Sequence, residues 1–520
     1  MKAEMNRRSF LKAAGALGIA TAGTSMLTAC SGNNMAETET KTETGSETEA
    51  ITFDREESCD IVVVGSGTAG TCAAITAAQQ GANVICLEKN DNLGGTSNFA
   101  EYIGGFGAKV QTDSGIEFDI AERIREYQVE TDWGAPYDVV ETLFVESGKT
   151  LDWLIDDCGI PFQPGGAASH LVVIMQGEEQ VFLADGMLKP LWEMGEAMDN
   201  LEFRTKSPMI GLVADNSTVT GVYTKETNGE IVKINAKSVI VCTGGFVDNP
   251  DLFWEAMHQN KERYFNYGMP GRDGDGYREM RKLDASITGM PAMLAEPGVV
   301  GTVGFSEDPN IWFTWTPLPH FNEEGKRYYD ESNGGDTLNN EVMNNAFLAQ
   351  NRAFIIADYT YMAEGEIAKT WEQYSSGRGL AGVEECSGVY KADTIEELAE
   401  MIDVPADTLK ESIETYNKAC ETGVDTEFSC AAEYLTPIEK APFYAAELHT
   451  AIYCTNGGAV TDTKMRVKTA SGTIIDGLYA CGLDNGTVYK NKYPLTTFHA
   501  IAQTWAAVSG HVAALDACSR

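Results

Sequence analysis

The chain has 520 residues, enough for two or three domains of ordinary size. With 43% hydrophobic and 22% charged residues it can bury a core, which excludes a wholly disordered protein. A formal net charge of −39 repels phosphate backbones and argues against a nucleic-acid partner, while 12 cysteines without a CxxC pair argue against a disulfide scaffold, a zinc ribbon and covalent haem.

The first predicted element is an address. Asn6-Arg7-Arg8-Ser9-Phe10-Leu11-Lys12 precedes an apolar, Ala/Gly-rich run to Ala29. That run is too short and too weakly apolar for a comfortable membrane span. A paired Arg before such a stretch resembles a twin-arginine export signal over residues 1–29. Leu27-Thr28-Ala29-Cys30 resembles a lipobox, in which Cys30 is acylated and becomes the mature N-terminus. Residues 30–54 are rich in Thr and Glu, have almost nothing to bury, and read as a disordered tether. The expected location is the extracytoplasmic face of the cell membrane, with a globule held through a lipid on Cys30.

The next element carries the first fold signal. Cys59-Asp60-Ile61-Val62-Val63-Val64 reads as a buried parallel strand, followed at once by Gly65-Ser66-Gly67-Thr68-Ala69-Gly70. An Ala-rich helix is predicted from Thr71 to Gln80, stopped by Gly81. Ala82 to Leu87 forms the second strand and ends at Glu88. In this βαβ unit Gly65 makes the tight turn, Gly67 lets backbone approach a pyrophosphate, and Gly70 lets helix pack on strand. Glu88 would accept hydrogen bonds from ribose hydroxyls. The unit serves FAD and NAD alike, and three later features favour FAD. Glu88-Lys89 leads into the Gly-rich turn Leu93-Gly94-Gly95-Thr96-Ser97; Ser238 to Phe246 is a strand running into Gly244-Gly245; and Gly477 to Asp484 places an acid after a late strand.

In that order these motifs resemble the flavoprotein-subunit family of fumarate reductase and succinate dehydrogenase. The likeness is to its soluble branch, which includes flavocytochrome fumarate reductases, urocanate reductase and 3-ketosteroid dehydrogenases. Thr150-Leu151-Asp152-Trp153-Leu154, Gly274-Asp275-Gly276, Asn322 to Tyr328, Thr455-Asn456-Gly457-Gly458 and Asn491-Lys492-Tyr493-Pro494 extend the likeness over most of the chain. The resemblance implies an α/β fold: a Rossmann-like FAD-binding domain (55–285 and 446–520) interrupted by an α+β capping domain (286–445). It further implies FAD held by Gly65, Gly67, Ala69, Gly70, Glu88, Lys89, Gly94, Gly95, Thr96, Ser97, Gly104, Gly105, Asp275, Asp484, Leu495 and Thr496. No His stands near Gly94-Gly95, so FAD is expected to be non-covalent.

Departures from the family pattern set the expected substrate. Dicarboxylate reductases of the family grip fumarate with two His and two Arg and protonate it with another Arg. Here Glu296-Pro297 stands near the place of one His, and Cys454, beside Tyr453, replaces the other. Residues 328–336 contain no Arg, and the gripping Asn-Arg is Asn491-Lys492. Two carboxylates in a closed pocket need matched charges, because unpaired burial costs several kcal/mol each. The expected substrate is therefore larger and less charged: an aryl-acrylate, an enone or a steroid.

The resemblance implies hydride transfer from flavin N5 to the β-carbon of an activated C=C. Negative charge grows on the carbonyl oxygen and calls for a donor, for which Lys492 is the candidate. Tyr453 or Tyr493 would protonate the α-carbon. His499, Glu296 and Cys454 remain alternative site residues, and His449 sits one position too early to replace the missing ligand. Trp312, Phe313, Trp315, Phe321, Tyr328 and Tyr329 crowd eighteen residues, and most of them are expected to be cap core, whereas Tyr453, Tyr489 and Tyr493 fall around the flavin. Cys72, Cys86, Cys242 and Cys481 read as small apolar core residues. No haem motif and no second dinucleotide fingerprint is present, so electrons are expected from an external cytochrome or flavoprotein, as suits a terminal reductase of anaerobic respiration. Two other readings stay open: a ketone or ketosteroid dehydrogenase, and a lipoprotein that binds flavin without turnover.

Overall fold

The computed structural model describes residues 51–520 apart from 167, 216, 259–260, 289–292, 301–310, 313–315, 334–339, 365–367, 369–370, 372–377 and 491. The export signal, Cys30, most of the tether, Phe313, Trp315 and Asn491 lie outside the described residues.

Apolar runs with no alternation form strands covered on both faces. Ile61–Val64 (β1) and Val84–Leu87 (β2) are buried at every position. Leu201–Arg204 (β3), Ser238–Val241 (β4) and Ile474–Ala480 (β5) complete a parallel set in the order β5-β4-β1-β2-β3. Its centre is in register at Ile240, Val63 and Cys86. Beyond β5 the sheet continues into the antiparallel pair Thr218–Lys225 and Ile231–Asn235.

The helix after β1, Thr68–Gln79 (α1), starts three residues earlier than its composition suggests, because extended Gly67 takes the N-cap position. It stops where expected, with Gly81 at φ +86. Every residue from Thr68 to Ala78 is buried. One neighbour is the last helix, Ile501–Cys518 (α2), which approaches so closely that a Cβ on Gly510 would lie 2.1 Å from the Ala69 carbonyl oxygen. Small residues on both helices permit this approach.

A second layer carries its own core. His320–Asn322, Ala353–Ala357, Phe443–Glu447 and Val389–Ala392 form an antiparallel sheet in that order. Helices Ile395–Ile402 and Ala406–Thr422 contribute Leu398, Ile402, Leu409 and Ile413 to its core. Two apolar clusters are drawn wholly from residues 318–448, including the expected core residues Phe321 and Tyr328. Three strands link this layer to the first. Met293–Val300 pairs antiparallel with His449–Thr455, which also pairs parallel with Tyr264–Asn266. The segment after 286 thus first pairs back, at Ile287 and Thr288 with Ala459 and Gly458, and the strand Phe443–Glu447 crosses the expected boundary at 445. The architecture is α/β, with a Rossmann-like sheet domain and an α+β insertion.

Candidate active site

A cleft of about 760 Å³ opens at the C-terminal ends of β1, β2, β4 and β5. Carboxyl ends of a parallel sheet are where open α/β folds place ligands. One wall is the turn from β1 into α1. Gly65 is at φ +99, and a Cβ there would fall 2.2 Å from the Cys242 carbonyl oxygen. A Cβ on Gly70 would fall 1.8 Å from the Gly65 carbonyl oxygen, so Gly70 serves packing and does not line the cleft. The N-terminus of α1 faces the cleft through Gly67, Thr68 and Ala69 and brings the positive end of the helix dipole to it.

Glu88 ends β2 and is 6% exposed. Its Oε2 accepts from Ser66 N (3.1 Å) and Ser66 Oγ (2.7 Å), and its Oε1 from Asn90 N (2.9 Å). Four lone-pair positions and three donors leave room for one hydroxyl. Ser66, which the motif treats as a spacer, also accepts from Gly94 N (3.0 Å) and so ties the acid to the Gly-rich turn. In that turn Ser97 Oγ accepts from Thr68 N (3.1 Å). Lys89 Nζ bridges Asp275 (2.7 Å) and Asp273 (3.0 Å).

Asp484 lies at the far side, 1% exposed. It accepts from Thr243 N, Thr243 Oγ1 (3.0 Å) and Gly244 N (3.1 Å). Burial pushes its carboxyl up to about 7, against these donors. A folded-state value above the ordinary 3.8 means that the folded protein holds this proton more tightly than the unfolded chain. The stability it brings is therefore complete below about pH 4 and is lost as pH rises through about 7, an effect on the order of 4 kcal/mol. Urea unfolding of the flavin-free protein across this window should show the decline, and Asp484→Asn should flatten it. An unchanged slope in Asp484→Asn would place the titration elsewhere.

The remaining wall is aromatic. Tyr267 packs edge-on to Tyr453 at 4.9 Å, and both line the cleft together with Phe99, Tyr102, Phe182 and Tyr493. Tyr493 stacks on buried Tyr489 at 5.9 Å, and its hydroxyl accepts from Ala502 N (3.3 Å). Arg272 is 7% exposed and was not legible as a site residue. Its Nη1 donates to the Tyr453 carbonyl and its Nη2 to Asn266 Oδ1, pinning the Tyr453 strand to the loop after Asn266. Among the described lining residues Lys89 and Arg272 are the only cations.

The structure thus brings Gly65, Gly67, Ala69, Glu88, Lys89, Gly94, Gly95, Thr96, Ser97, Asp275, Tyr453, Tyr493 and Leu495 into one lining, with Cys454 beside them. Asp484 meets the cleft through the amides of Thr243 and Gly244. Gly104 and Gly105 pack against His170, Phe498 and Leu151, off the lining. Thr496, Lys492, His499 and His449 are also off it. Cys242 and Cys481 are buried core residues as expected, yet both also touch the cleft.

Comparison with known proteins agrees with this geometry. The family described as FAD binding domain matches residues 60–497, and the twin-arginine translocation pathway signal sequence matches residues 4–24. Vinyl phenol reductase of Lactiplantibacillus plantarum is 30% identical over 467 residues, covering 85% of this chain and 93% of that protein. Urocanate reductase of Eggerthella lenta is 27% identical over 448 residues, 82% of this chain and 70% of that protein. The fold matches the 3-ketosteroid delta1-dehydrogenase of Sterolibacterium denitrificans with a TM-score of 0.73, over 89% of this chain and 100% of that one, at 18% identity.

The residues fit FAD. Gly95 and Gly244, both at positive φ, would point a Cβ into open space along the lining, so the backbone forms a cradle that side chains would fill. The Glu88 carboxylate and the N-terminus of α1 both stand on the lining. The enclosed volume is within the usual range of about 300–1,000 Å³ for ligand sites.

Proposed function

We propose, from the premise that this chain belongs to the FAD binding domain family and is a FAD-dependent oxidoreductase acting on CH–CH bonds, that it reduces the activated C=C of an α,β-unsaturated carbonyl compound. The substrate class is an aryl-acrylate, an enone or a steroid. The observation that carries this reading is a single cleft in which a glycine cradle meets an aromatic wall with two tyrosines, while both lining cations are already engaged. A dicarboxylate would meet one cation, Arg272, bonded to the neutral oxygens of Tyr453 and Asn266, against its two charges, since Lys89 is held by Asp273 and Asp275. The two relatives are by name reductases, one of them of a vinyl group, which supports the reductive direction.

FAD, when bound, supplies the electron pair as hydride. The chain's own residues do the rest. Glu88, Ser97 and the open backbone cradle at Gly95 and Gly244 hold the dinucleotide. Phe99, Tyr102 and Tyr267 exclude water and seat a planar unsaturated group. Tyr453 or Tyr493 gives a proton to the α-carbon, and Lys492, next to Tyr493 in the chain but off the lining, acts on the carbonyl oxygen through its field and not by contact. The twin-arginine signal directs export across the cytoplasmic membrane. A lipid on Cys30 would keep the globule at the membrane, where a cytochrome or flavoprotein delivers electrons to a respiratory terminal reductase. Among the described residues no helix is long and apolar enough to cross a membrane.

The test is anaerobic stopped flow of the holoprotein against a panel of unsaturated acids, enones and steroids. Reoxidation of reduced flavin by a panel member is the expected result. Bleaching of oxidised flavin by a saturated ketone would instead assign a dehydrogenase, and flavin binding without either response a non-catalytic protein. In the active enzyme Tyr493→Phe keeps the stack on Tyr489 and removes the proton. We expect the donor tyrosine, replaced by Phe, and Lys492→Met each to lower turnover at least about tenfold, roughly 1.4 kcal/mol of barrier. Turnover within twofold of wild type in all three single variants would move the site.

A further inference from the structure

We infer that Glu130, supported by Tyr127, is a positioning residue that clamps the segment carrying the cleft residues Tyr493 and Leu495. The inference rests on the reading of Tyr493 as part of the reacting site. Glu130 ends the helix Ile120–Glu130. Its Oε1 accepts from Thr496 N (3.2 Å) and its Oε2 from Thr497 N (2.8 Å). One turn earlier the Tyr127 hydroxyl donates to the Val488 carbonyl (2.7 Å). The two anchors bracket Lys492, Tyr493 and Leu495 and come from a helix more than 350 positions earlier in the chain. A third contact lies between them: a Cβ on Gly134 would fall 2.4 Å from Lys490 Cγ, so the turn after the helix sits directly on the segment.

The helix is a firm base. Tyr127 is fully buried and packs edge-on to Phe144 at 5.6 Å. The backbone bonds within the segment are local. Lys492 N donates to Tyr489 O, Leu495 N to Tyr493 O and Phe498 N to Pro494 O, all within ten residues. These local turns fix its shape, while the Tyr493 stack on Tyr489 and the bond from Ala502 N to its hydroxyl hold one side of it. A carboxylate bridging two successive amides fixes place, because charge-assisted bonds are shorter and stronger than neutral ones. Glu130 therefore holds the C-terminal side of the segment that carries Tyr493, and a proton donor displaced by an ångström loses most of its value. This role falls on no motif, since the helix and the segment meet only in the folded protein.

The test compares Glu130→Gln, Glu130→Ala and Tyr127→Phe holoprotein with wild type. Glu130→Gln keeps one acceptor oxygen and nearly the same shape. We expect amide exchange in peptides spanning residues 493–498 to rise about tenfold in Glu130→Ala, less in Glu130→Gln, with the rest of the chain unchanged. We expect kcat to fall about tenfold in Glu130→Ala and to be partly rescued in Glu130→Gln, while flavin content and KM stay within about twofold. Tyr127→Phe should loosen residues 488–492 instead. Unchanged exchange at 493–498 would overturn the clamp whatever the activity. Increased exchange with unchanged kcat would overturn its catalytic role, as would a loss of kcat that only follows loss of flavin. If wild type reduces no compound of the panel, the functional reading fails, and exchange alone still decides whether the clamp exists.

Discussion

Replacing Gly65 by alanine is expected to give a protein that folds poorly and purifies without flavin. The backbone there is at φ +99, a region that costs an L-residue about 1–2 kcal/mol. The added Cβ would also lie 2.2 Å from the Cys242 carbonyl oxygen and 2.8 Å from its carbon. Backbone cannot rotate aside as a side chain does, so β1 and β4 must separate at their ends, adding about 1–3 kcal/mol of overpacking. That separation also moves Thr243 and Gly244, whose amides hold Asp484. Two controls isolate the cause. Gly81 has φ +86, and a Cβ added there would meet nothing within 4 Å, so Gly81→Ala should cost only the backbone term and keep flavin. Gly67 has no positive φ, and its nearest contact would be Ser97 Oγ at 3.4 Å. Gly67→Ala should fold normally, and flavin loss there would report on the ligand's own space. Flavin absorbance per chain and the urea midpoint are the readouts; a yellow Gly65→Ala protein of wild-type stability would refute the argument.

The second large effect lies in the insertion. Arg327, Glu331 and Asp425 side chains are each 1% exposed. The guanidinium donates from Nε and Nη2 to Glu331 (2.9 and 2.6 Å) and from Nη1 and Nη2 to Asp425 (3.3 and 3.0 Å). Its faces carry Tyr416 at 4.8 Å and Phe428 at 5.0 Å. Burial pushes the Glu331 carboxyl up despite Arg327, whereas Asp425 is held at about 2 although burial opposes it. Glu331 accepts a long amide bond from His320 N at 3.4 Å, whereas Asp425 accepts two shorter ones, from Glu427 N at 3.0 Å and Cys430 N at 3.1 Å. Since its folded value is depressed, the stability Asp425 brings is present at neutral pH and is lost as pH falls from about 4 through about 2. Arg327→Met strands two buried carboxylates and should cost about 3–5 kcal/mol, read as a lower urea midpoint. Replacing all three, with Glu331→Leu and Asp425→Leu added, should recover most of that loss, because no charge is then left buried alone. If the triple replacement is no better than the single one, packing rather than charge is the reason for the loss.

The same triad shows where sequence reading runs out. Gly325-Lys326-Arg327 was legible as part of a family pattern, and Gly325 does sit in a tight turn at φ +77. That Arg327 is an internal ion rather than a ligand for substrate depends on Asp425, 98 positions later. Pattern alone does not say which charges are buried together. The same holds for Lys89 and Asp275, both assigned to the cofactor and found bridged to each other.

The sequence by itself determined the βαβ unit, the tight turn at Gly65, the close packing at Gly70 and the acid at the end of the second strand, because strand, turn, helix and acid lie within about thirty residues and their geometry follows from local backbone rules. It also determined the export signal and the family, and with them FAD. Only the tertiary structure decided what stands around the cleft. Ser66 joins Glu88 to Gly94, Arg272 pins the Tyr453 strand, and Glu130 holds Thr496 and Thr497 across 366 and 367 positions. The reason is physical: hydrogen-bond partners are chosen by where packing of buried faces brings separate segments, and chain spacing carries no record of that meeting.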